Sequence, residues 1–354
     1  MLAADSKTAP KVANDPAFTA PGRSWKHLVG PIEPFLEAVN ERLAQQIKTF
    51  EPETVPYAEY ALNGQGKHLR PVLVALAGNA LGKLNDSHVT VAAIIEMVHL
   101  ATLVHDDVMD EAEIRRGRLT LAANWGNEIA VLFGDCLFAR ALTLAASFPT
   151  PEICRAVATA TNTVCSGEIM QTQHRGDFAF TQEKYFQVLE MKTAELFALS
   201  CELSSLLSGA SPDQRQQFRD FGLAFGTAYQ VFDDCVDLFG SEIKAGKSLG
   251  TDLAKGKLTL PLLVAWEQAD ATDRAELKVL VQTFEPGSMH RIGYLLEKYQ
   301  TLSASVTIIR QYLERARHVL RSLPLSDGRA GLLGLADYLA RQTDALAAAP
   351  ASNL

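Results

Sequence analysis

Along most of this chain, apolar residues recur at intervals of three and four. Phe35, Leu36, Val39, Leu43 and Ile47 form one such stripe, which stops at Glu51-Pro52, and a second helical stretch starts near Pro56. From Asp86 to Asp110, Val91, Ile94, Ile95, Val98 and Thr102 fall at i, i+3, i+4, i+7 and i+11, the spacing of one buried helix face. The same periodicity predicts helices over 71–81, with Pro71 at the first helical position, and over 129–147, 151–173, 182–208 and 212–239. Several more follow beyond Thr259, with breaks near Pro286-Gly287 and Pro324. The alternation that signals strands is nearly absent. An all-α fold follows, a single-domain bundle of long helices. Residues 1–28 are small, polar and punctuated by Pro10, Pro16 and Pro21, so they predict a flexible tail ahead of a domain spanning 29–354.

Composition narrows the class of function. With 354 residues, 47% hydrophobic and 21% charged, the chain can bury a large core. A formal net charge of −8 gives no basis for binding nucleic acid or an anionic membrane surface, so any anionic substrate must rely on local cations and metal. The five cysteines are odd in number and lack CxxC spacing, which predicts free thiols in a reducing compartment. No apolar run approaches a transmembrane span and the N-terminus lacks a signal-peptide pattern, so a soluble, cytoplasmic protein is expected.

Against this background two acidic clusters stand out, Asp106-Asp107-Val108-Met109-Asp110 and Asp233-Asp234-Cys235-Val236-Asp237. Each puts carboxylates at i, i+1 and i+4 at the end of an apolar helical run, so the first and last share a helix face. Carboxylates that close repel unless a cation neutralises them, and oxygen-only ligands suit Mg²⁺ or Mn²⁺ rather than zinc. Arg115-Arg116-Gly117 follows the first cluster and adds two guanidinium forks, the equipment for holding a diphosphate.

Four further elements carry charge or dipoles. The turn Asn63-Gly64-Gln65-Gly66-Lys67-His68-Leu69-Arg70 leads into a helix, and Lys67 and Arg70 at a helix start make an anion site. His99 lies one heptad before Asp106, near the face of the first cluster. Lys192-Thr193 sits in an otherwise apolar helix, where a lysine needs a counter-anion, and Gln230 shares a helix side with Asp233. The stretch from Lys244 to Lys257, which includes Lys247 and is dense in lysine and glycine, reads beside a metal site as a lid over a leaving phosphate.

Taken in this order, these elements resemble the trans-isoprenyl diphosphate synthases, the polyprenyl synthetase family, over nearly the whole chain from about Ile32. The blocks that carry the resemblance are Gly66-Lys67-His68-Leu69-Arg70-Pro71, His99 through Asp110 with Arg115-Arg116-Gly117, and Gly134-Asp135. Lys192-Thr193, Tyr229 through Asp237, Gly246 through Asp252, Gly256 through Pro261 and Leu335-Ala336-Asp337-Tyr338 complete them. The resemblance implies antiparallel helices around a deep central cavity, and condensation of an allylic diphosphate with isopentenyl diphosphate. It further implies three Mg²⁺ ions with substrate bound, held by the aspartate motifs, that is Asp106, Asp107, Asp110, Asp233, Asp234 and Asp237. Arg115, Lys192, Lys247 and Lys257 would clamp the allylic diphosphate, and Lys67, Arg70, His99 and Arg116 would bind isopentenyl diphosphate. Thr193 and Gln230 would offer oxygen dipoles to an allylic cation. His68 stands where the family commonly has arginine. A homodimer formed through long helices such as 129–147 is also implied.

For product length, Thr102, Ala101, Val98 and Ile94 lie four, five, eight and twelve residues before Asp106 and gauge successive depths along the helix. In the family that the chain resembles, a large aromatic at either of the first two depths gives short products, whereas alanine and threonine leave the tunnel open, and the first aspartate motif carries no insertion. The resemblance thus implies a long-chain all-trans product of roughly six or more units, with geranylgeranyl diphosphate synthase as the alternative. A terpene cyclase lacks need for the second diphosphate site. A non-catalytic subunit typically loses one aspartate cluster, and both are intact here.

Overall fold

The computed structural model describes residues 24–62, 66–240, 250–323 and 325–349. Among them, strand pairing is confined to a two-residue antiparallel hairpin, β1 Ile114–Arg115 against β2 Arg118–Leu119. Everything else that is regular is helical, as the periodicity predicts. Before the hairpin run α1 Trp25–Val29, α2 Glu33–Ile47, α3 Val55–Leu62, α4 Leu69–Leu81 and α5 Asp86–Met109. After it come α6 Leu121–Trp125, α7 Asn127–Ala146, α8 Glu152–Gln173, α9 Gln182–Leu189, α10 Glu195–Leu207 and α11 Pro212–Phe239. The fold closes with α12 Thr251–Ala254, α13 Leu260–Gln268, α14 Ala271–Gln282, α15 Met289–Lys298, α16 Thr301–Leu320 and α17 Asp327–Ala347.

Two boundaries differ from the sequence reading. The expected tail to residue 28 gives way to structure at Ser24, because Leu28 is buried against the C-terminal helix and the Trp25 ring sits 5.9 Å from that of Tyr338. Helix α4 starts at Leu69, which makes Pro71 its third residue rather than its first. The missing N–H costs nothing there, since the first four amides of a helix have no intrahelical partner.

Helices α5 and α11 are the frame of the molecule. Each begins with a capping box, Asn85 with His88 in α5 and Ser211 with Gln214 in α11, and each ends in an aspartate cluster. Helix α5 packs on α7 and α4, α11 packs on α10 and α16, and α10 bridges to α4. The stack of Phe221 on Phe225, 5.9 Å apart and nearly parallel, lies in this core.

The helix predicted over 182–208 is interrupted. Between α9 and α10, Glu190–Ala194 forms a π-helical turn. Two glycines hold it from opposite sides: a Cβ on Gly167 of α8 would stand 2.8 Å from the Lys192 nitrogen, and one on Gly226 of α11 would stand 2.8 Å from the Ala194 Cα. Neither contact is compatible with any side chain.

Two helices, α5 and α7, are long and apolar enough to cross a membrane, contrary to the sequence reading that no run approaches that length. In α5 the apolar stretch is 67% buried inside the protein's own core, whereas in α7 only 33% is. Along α7, Val131, Leu132, Cys136, Ala139 and Thr143 are exposed together with Asp135, a mostly small and apolar stripe that carries one charge.

Candidate active site

The aspartate clusters occupy the C-terminal ends of α5 and α11, where the helix dipole already places negative partial charge. Acidic side chains there are doubly unfavourable, and the structure surrounds them with cations. Asp110, the C-cap of α5, accepts from Arg175 at 2.9 Å, and Lys257 and Lys255 each lie 3.0 Å away. Burial works against its charge, but Lys257 and Lys255 outweigh it and hold the carboxyl down to about 2. Asp106 is less fully compensated. Burial raises its carboxyl above the usual range, with Lys192 opposing and Glu168 adding to the rise.

Lys192, in the π-turn, answers the demand for a counter-anion. Its ammonium pairs with Glu168 of α8, stands 3.9 Å from Asp106 and donates to Gln171 at 2.9 Å. Burial disfavours its charge, yet Asp106 and Glu168 prevail and its pKa is raised. The next residue, Thr193, donates to the Gln230 carbonyl oxygen at 3.2 Å, and the Gln230 amide donates to Asp234 at 2.8 Å. Lys257 approaches Asp252 at 3.8 Å as well as Asp110. Lys192-Thr193 and Lys257 therefore join the two clusters into one site.

The six aspartates do not play one part. Asp107 is 5% exposed and accepts from Arg115 Nε at 2.7 Å. Asp234 is buried and accepts from the Tyr185 hydroxyl at 2.6 Å and from Gln230. Burial and the neighbouring Asp252 push its carboxyl well above the usual range, against those two donors. Asp237 accepts from the Thr251 hydroxyl at 2.8 Å and from the Asp252 amide at 3.1 Å, so it caps α12 and fastens the segment that carries Lys255 and Lys257. Of the six aspartates expected to hold metal, Asp107, Asp234 and Asp237 accept from protein donors, as Asp110 does from Arg175 and Lys257. Asp233 lies beside this network, and its charge helps raise the Tyr229 hydroxyl.

Among the described residues, no three His, Cys, Asp or Glu side chains converge to hold an ion alone. The oxygen-only donors of the two aspartate clusters suit a hard divalent cation.

The second cationic group adjoins the first cluster. Gly66 sits so close to the Arg116 guanidinium that a Cβ there would lie 2.7 Å from Nη1, which brings the Lys67 loop to the arginine pair. Arg70 stacks over the Phe197 ring at 4.8 Å, and burial lowers its pKa to about 10, which leaves it protonated at neutral pH. His68 takes a left-handed conformation and places Nδ1 3.3 Å from Glu96. His99 is held neutral, well below its ordinary value, by burial and by the charges of Arg70, Arg116 and Arg115. Lys247 lies outside the described residues, as do positions 63–65 of the turn and 244–249 of the lysine-rich stretch.

The depressed His99 value has a direct consequence. The unfolded chain takes up a proton near the ordinary 6.5 that the folded state refuses, so the contribution is present above about 6.5 and is lost as pH falls below it. His99→Gln is expected to flatten the decline in melting temperature between about pH 7.5 and 5.5. Identical declines for variant and parent would contradict the assignment.

Of the four depth markers, Val98 and Ile94 belong to the main core. Ala101 belongs to a smaller apolar cluster with Ala130, Phe133 and Leu137 of α7. The Thr102 hydroxyl donates back to the His99 carbonyl at 2.7 Å and so presents its methyl group outward at no polar cost.

Arg175, Glu168 and Tyr185 complete the site and were not picked out from the sequence, while Lys255 was read there only as one of the lysines of the 244–257 stretch. The only local signal was the Glu168/Gln171 pair at helical spacing on α8.

The chain was compared with known proteins. The polyprenyl synthetase family model matches residues 52–298. Octaprenyl diphosphate synthase of Escherichia coli (strain K12) is 33% identical over 87% of this chain and 96% of its own length. Among solved structures, a decaprenyl diphosphate synthase from Rhodobacter capsulatus superposes with a TM-score of 0.84 at 32% identity, covering 90% of this chain and 99% of that one. A geranylgeranyl pyrophosphate synthetase from Pyrococcus horikoshii does so with a TM-score of 0.83 at 28% identity, covering 89% and 98%. The match extends through the helices that carry both aspartate clusters, and the chain belongs to the polyprenyl synthetase family.

Proposed function

We propose that this enzyme condenses an allylic diphosphate with successive molecules of isopentenyl diphosphate, head to tail, to give a long-chain all-trans polyprenyl diphosphate. The observation that carries the reading is the junction of two anion-handling groups. One is the pair of carboxylate clusters linked through Lys192-Thr193 and Lys257; the other is the Arg70, Arg116 and His99 group, tied to it by the Arg115–Asp107 contact. One diphosphate needs metal and must leave; the other needs only cations and must stay.

Asp106, Asp110 and Asp233 would hold Mg²⁺, with Mn²⁺ a substitute and three ions the full complement, and the metal would neutralise charge on the departing diphosphate. Lys192 and Lys257 offer ammonium groups to the same oxygens. The C1–O bond of the allylic substrate breaks with its electron pair leaving on diphosphate. Thr193 and Gln230 face the resulting cation with oxygen dipoles, which stabilise positive charge without trapping it as a carboxylate would. The double bond of isopentenyl diphosphate attacks C1, a new carbon–carbon bond forms, and the C2 proton passes to the released diphosphate. The product is again an allylic diphosphate, five carbons longer, so the cycle repeats until the chain meets a wall. Relatives named for octaprenyl and decaprenyl products support a distant wall.

The test is product analysis with Mg²⁺, labelled isopentenyl diphosphate and farnesyl or geranylgeranyl diphosphate as starter. Products of six or more units are expected. A sharp stop at four would make the protein a geranylgeranyl diphosphate synthase, and no elongation would refute the reading in favour of a cyclase or a non-catalytic subunit.

The exposed stripe of α7 supports a homodimer, because a second copy would cover apolar surface left open in one chain. Ala139→Arg, on that stripe, is expected to give a monomer by light scattering with the helical content kept. An unchanged assembly would assign the dimer surface elsewhere. Five free cysteines and the acidic charge support a cytoplasmic setting.

A further inference from the structure

Tyr185 lies in α9, outside every motif considered from the sequence, yet its hydroxyl is buried against the second aspartate cluster. The hydroxyl donates to Asp234 Oδ2 at 2.6 Å. The other carboxylate oxygen, Oδ1, accepts from the Gln230 Nε2 amide at 2.8 Å. Gln230 Oε1 in turn accepts from Thr193 Oγ1 at 3.2 Å. The order of donors is assigned from this network: an amide can present either end, and committing its NH₂ to a carboxylate leaves only its oxygen for the opposite side. Tyr185, Asp234, Gln230 and Thr193 all line one cavity, which also receives Lys192 and Lys257. Thr259, whose hydroxyl has no hydrogen-bond partner among the described residues, lines it too.

We propose that Tyr185 and Asp234 are positioning residues, not metal ligands, and that together they fix the amide of Gln230 so that its oxygen, with that of Thr193, faces the cationic carbon. The proposal rests on the prenyl-transfer reading above and adds to it a reason for the orientation of these dipoles. If the amide turned over, the site would present N–H hydrogens to a carbocation, a repulsive arrangement. Tyr185 matters because it occupies the oxygen of Asp234 that Gln230 does not, which holds the carboxylate in one rotamer.

The experiment compares Tyr185→Phe, Asp234→Asn and Asp233→Asn in the full chain by two independent readings. One is Mg²⁺-dependent binding of inorganic diphosphate by calorimetry, and the other is steady-state condensation. Tyr185→Phe and Asp234→Asn are expected to bind diphosphate within about threefold of the parent, while Asp233→Asn loses binding by about tenfold or more. In condensation, kcat should fall about tenfold for Tyr185→Phe and about a hundredfold for Asp234→Asn, whose amide turns Gln230 over, with KM for the allylic substrate unchanged. Loss of diphosphate binding by Asp234→Asn equal to that of Asp233→Asn would restore Asp234 to the metal ligands and overturn the proposal. An undiminished kcat for Tyr185→Phe would reduce the tyrosine to a fastener of α9. Failure of the parent itself to elongate a prenyl chain would instead refute the functional reading, and the binding comparison would still decide the role of Asp234.

Discussion

Asp106→Asn should lower kcat for condensation by about three orders of magnitude, equivalent to about 4 kcal/mol of transition-state stabilisation at 1.36 kcal/mol per tenfold. The size follows from where Asp106 stands. It is the carboxylate that faces Lys192 across 3.9 Å, in a largely desolvated setting that already raises its carboxyl. Asp110, by contrast, is already balanced by Arg175, Lys255 and Lys257, so those cations must redistribute when a substrate diphosphate arrives. Removing the Asp106 charge would take away the proposed anchor for the metal and leave Lys192 paired with Glu168. Steady-state rates with saturating isopentenyl diphosphate, together with a circular dichroism spectrum to show an intact fold, would measure the effect. A loss smaller than about tenfold would mean that the first cluster is not where the departing diphosphate is held.

Ala101→Phe should change the product rather than the rate of the first addition. Ala101 is fully buried among Ala130, Phe133 and Leu137, so an aromatic ring there must displace neighbours or project towards the Thr102 and His99 side of α5. Overpacking of this kind costs about 1–3 kcal/mol of stability, which a melting curve would show. One helical turn rises about 5.4 Å, close to the length of one isoprene unit, and Ala101 lies little more than a turn from Asp106. A ring at that depth should therefore end growth after three or four units, with the chain distribution read by chromatography of the hydrolysed products. Full-length products from a folded Ala101→Phe protein would place the path of the growing chain away from the α7 side. Ile94 or Val98, which belong to the main core, would then be the positions to enlarge.

Most of the helices were legible because an amphipathic helix must repeat its apolar positions at the period of its own backbone. The aspartate clusters were legible for the opposite reason, as charges where that repeat demands apolar groups. What remained hidden was pairing across long separations. Tyr185 with Asp234, 49 residues apart, and Thr251 with Asp237, 14 apart, join segments whose neighbourhood only the fold creates. Arg175 was missed because it looks like a solvated charge at the end of a helix until Asp110 is placed beside it. The separation of Ala101 from Val98 and Ile94 was equally out of reach, since depth along a helix says nothing about which neighbour each side of it meets.

The π-turn at Glu190–Ala194 acts as a phase shifter. A continuous α-helix through 182–207 would keep one azimuth for its stripes; a wider turn spends an extra residue, and everything downstream is rotated by about 100° relative to the α9 register. The acidic residues Glu195 and Glu202, which grip Arg219 of α11 at 2.6 and 2.8 Å, are in line with that arginine only after the rotation. Deleting one residue between Glu190 and Ala194 would thus do more than shorten a helix. It would put α9 and α10 back in step, swing the Arg219 clamp off its target and carry Lys192 away from Asp106, so the frame of the bundle and the alignment of its chemistry are set by a single added residue.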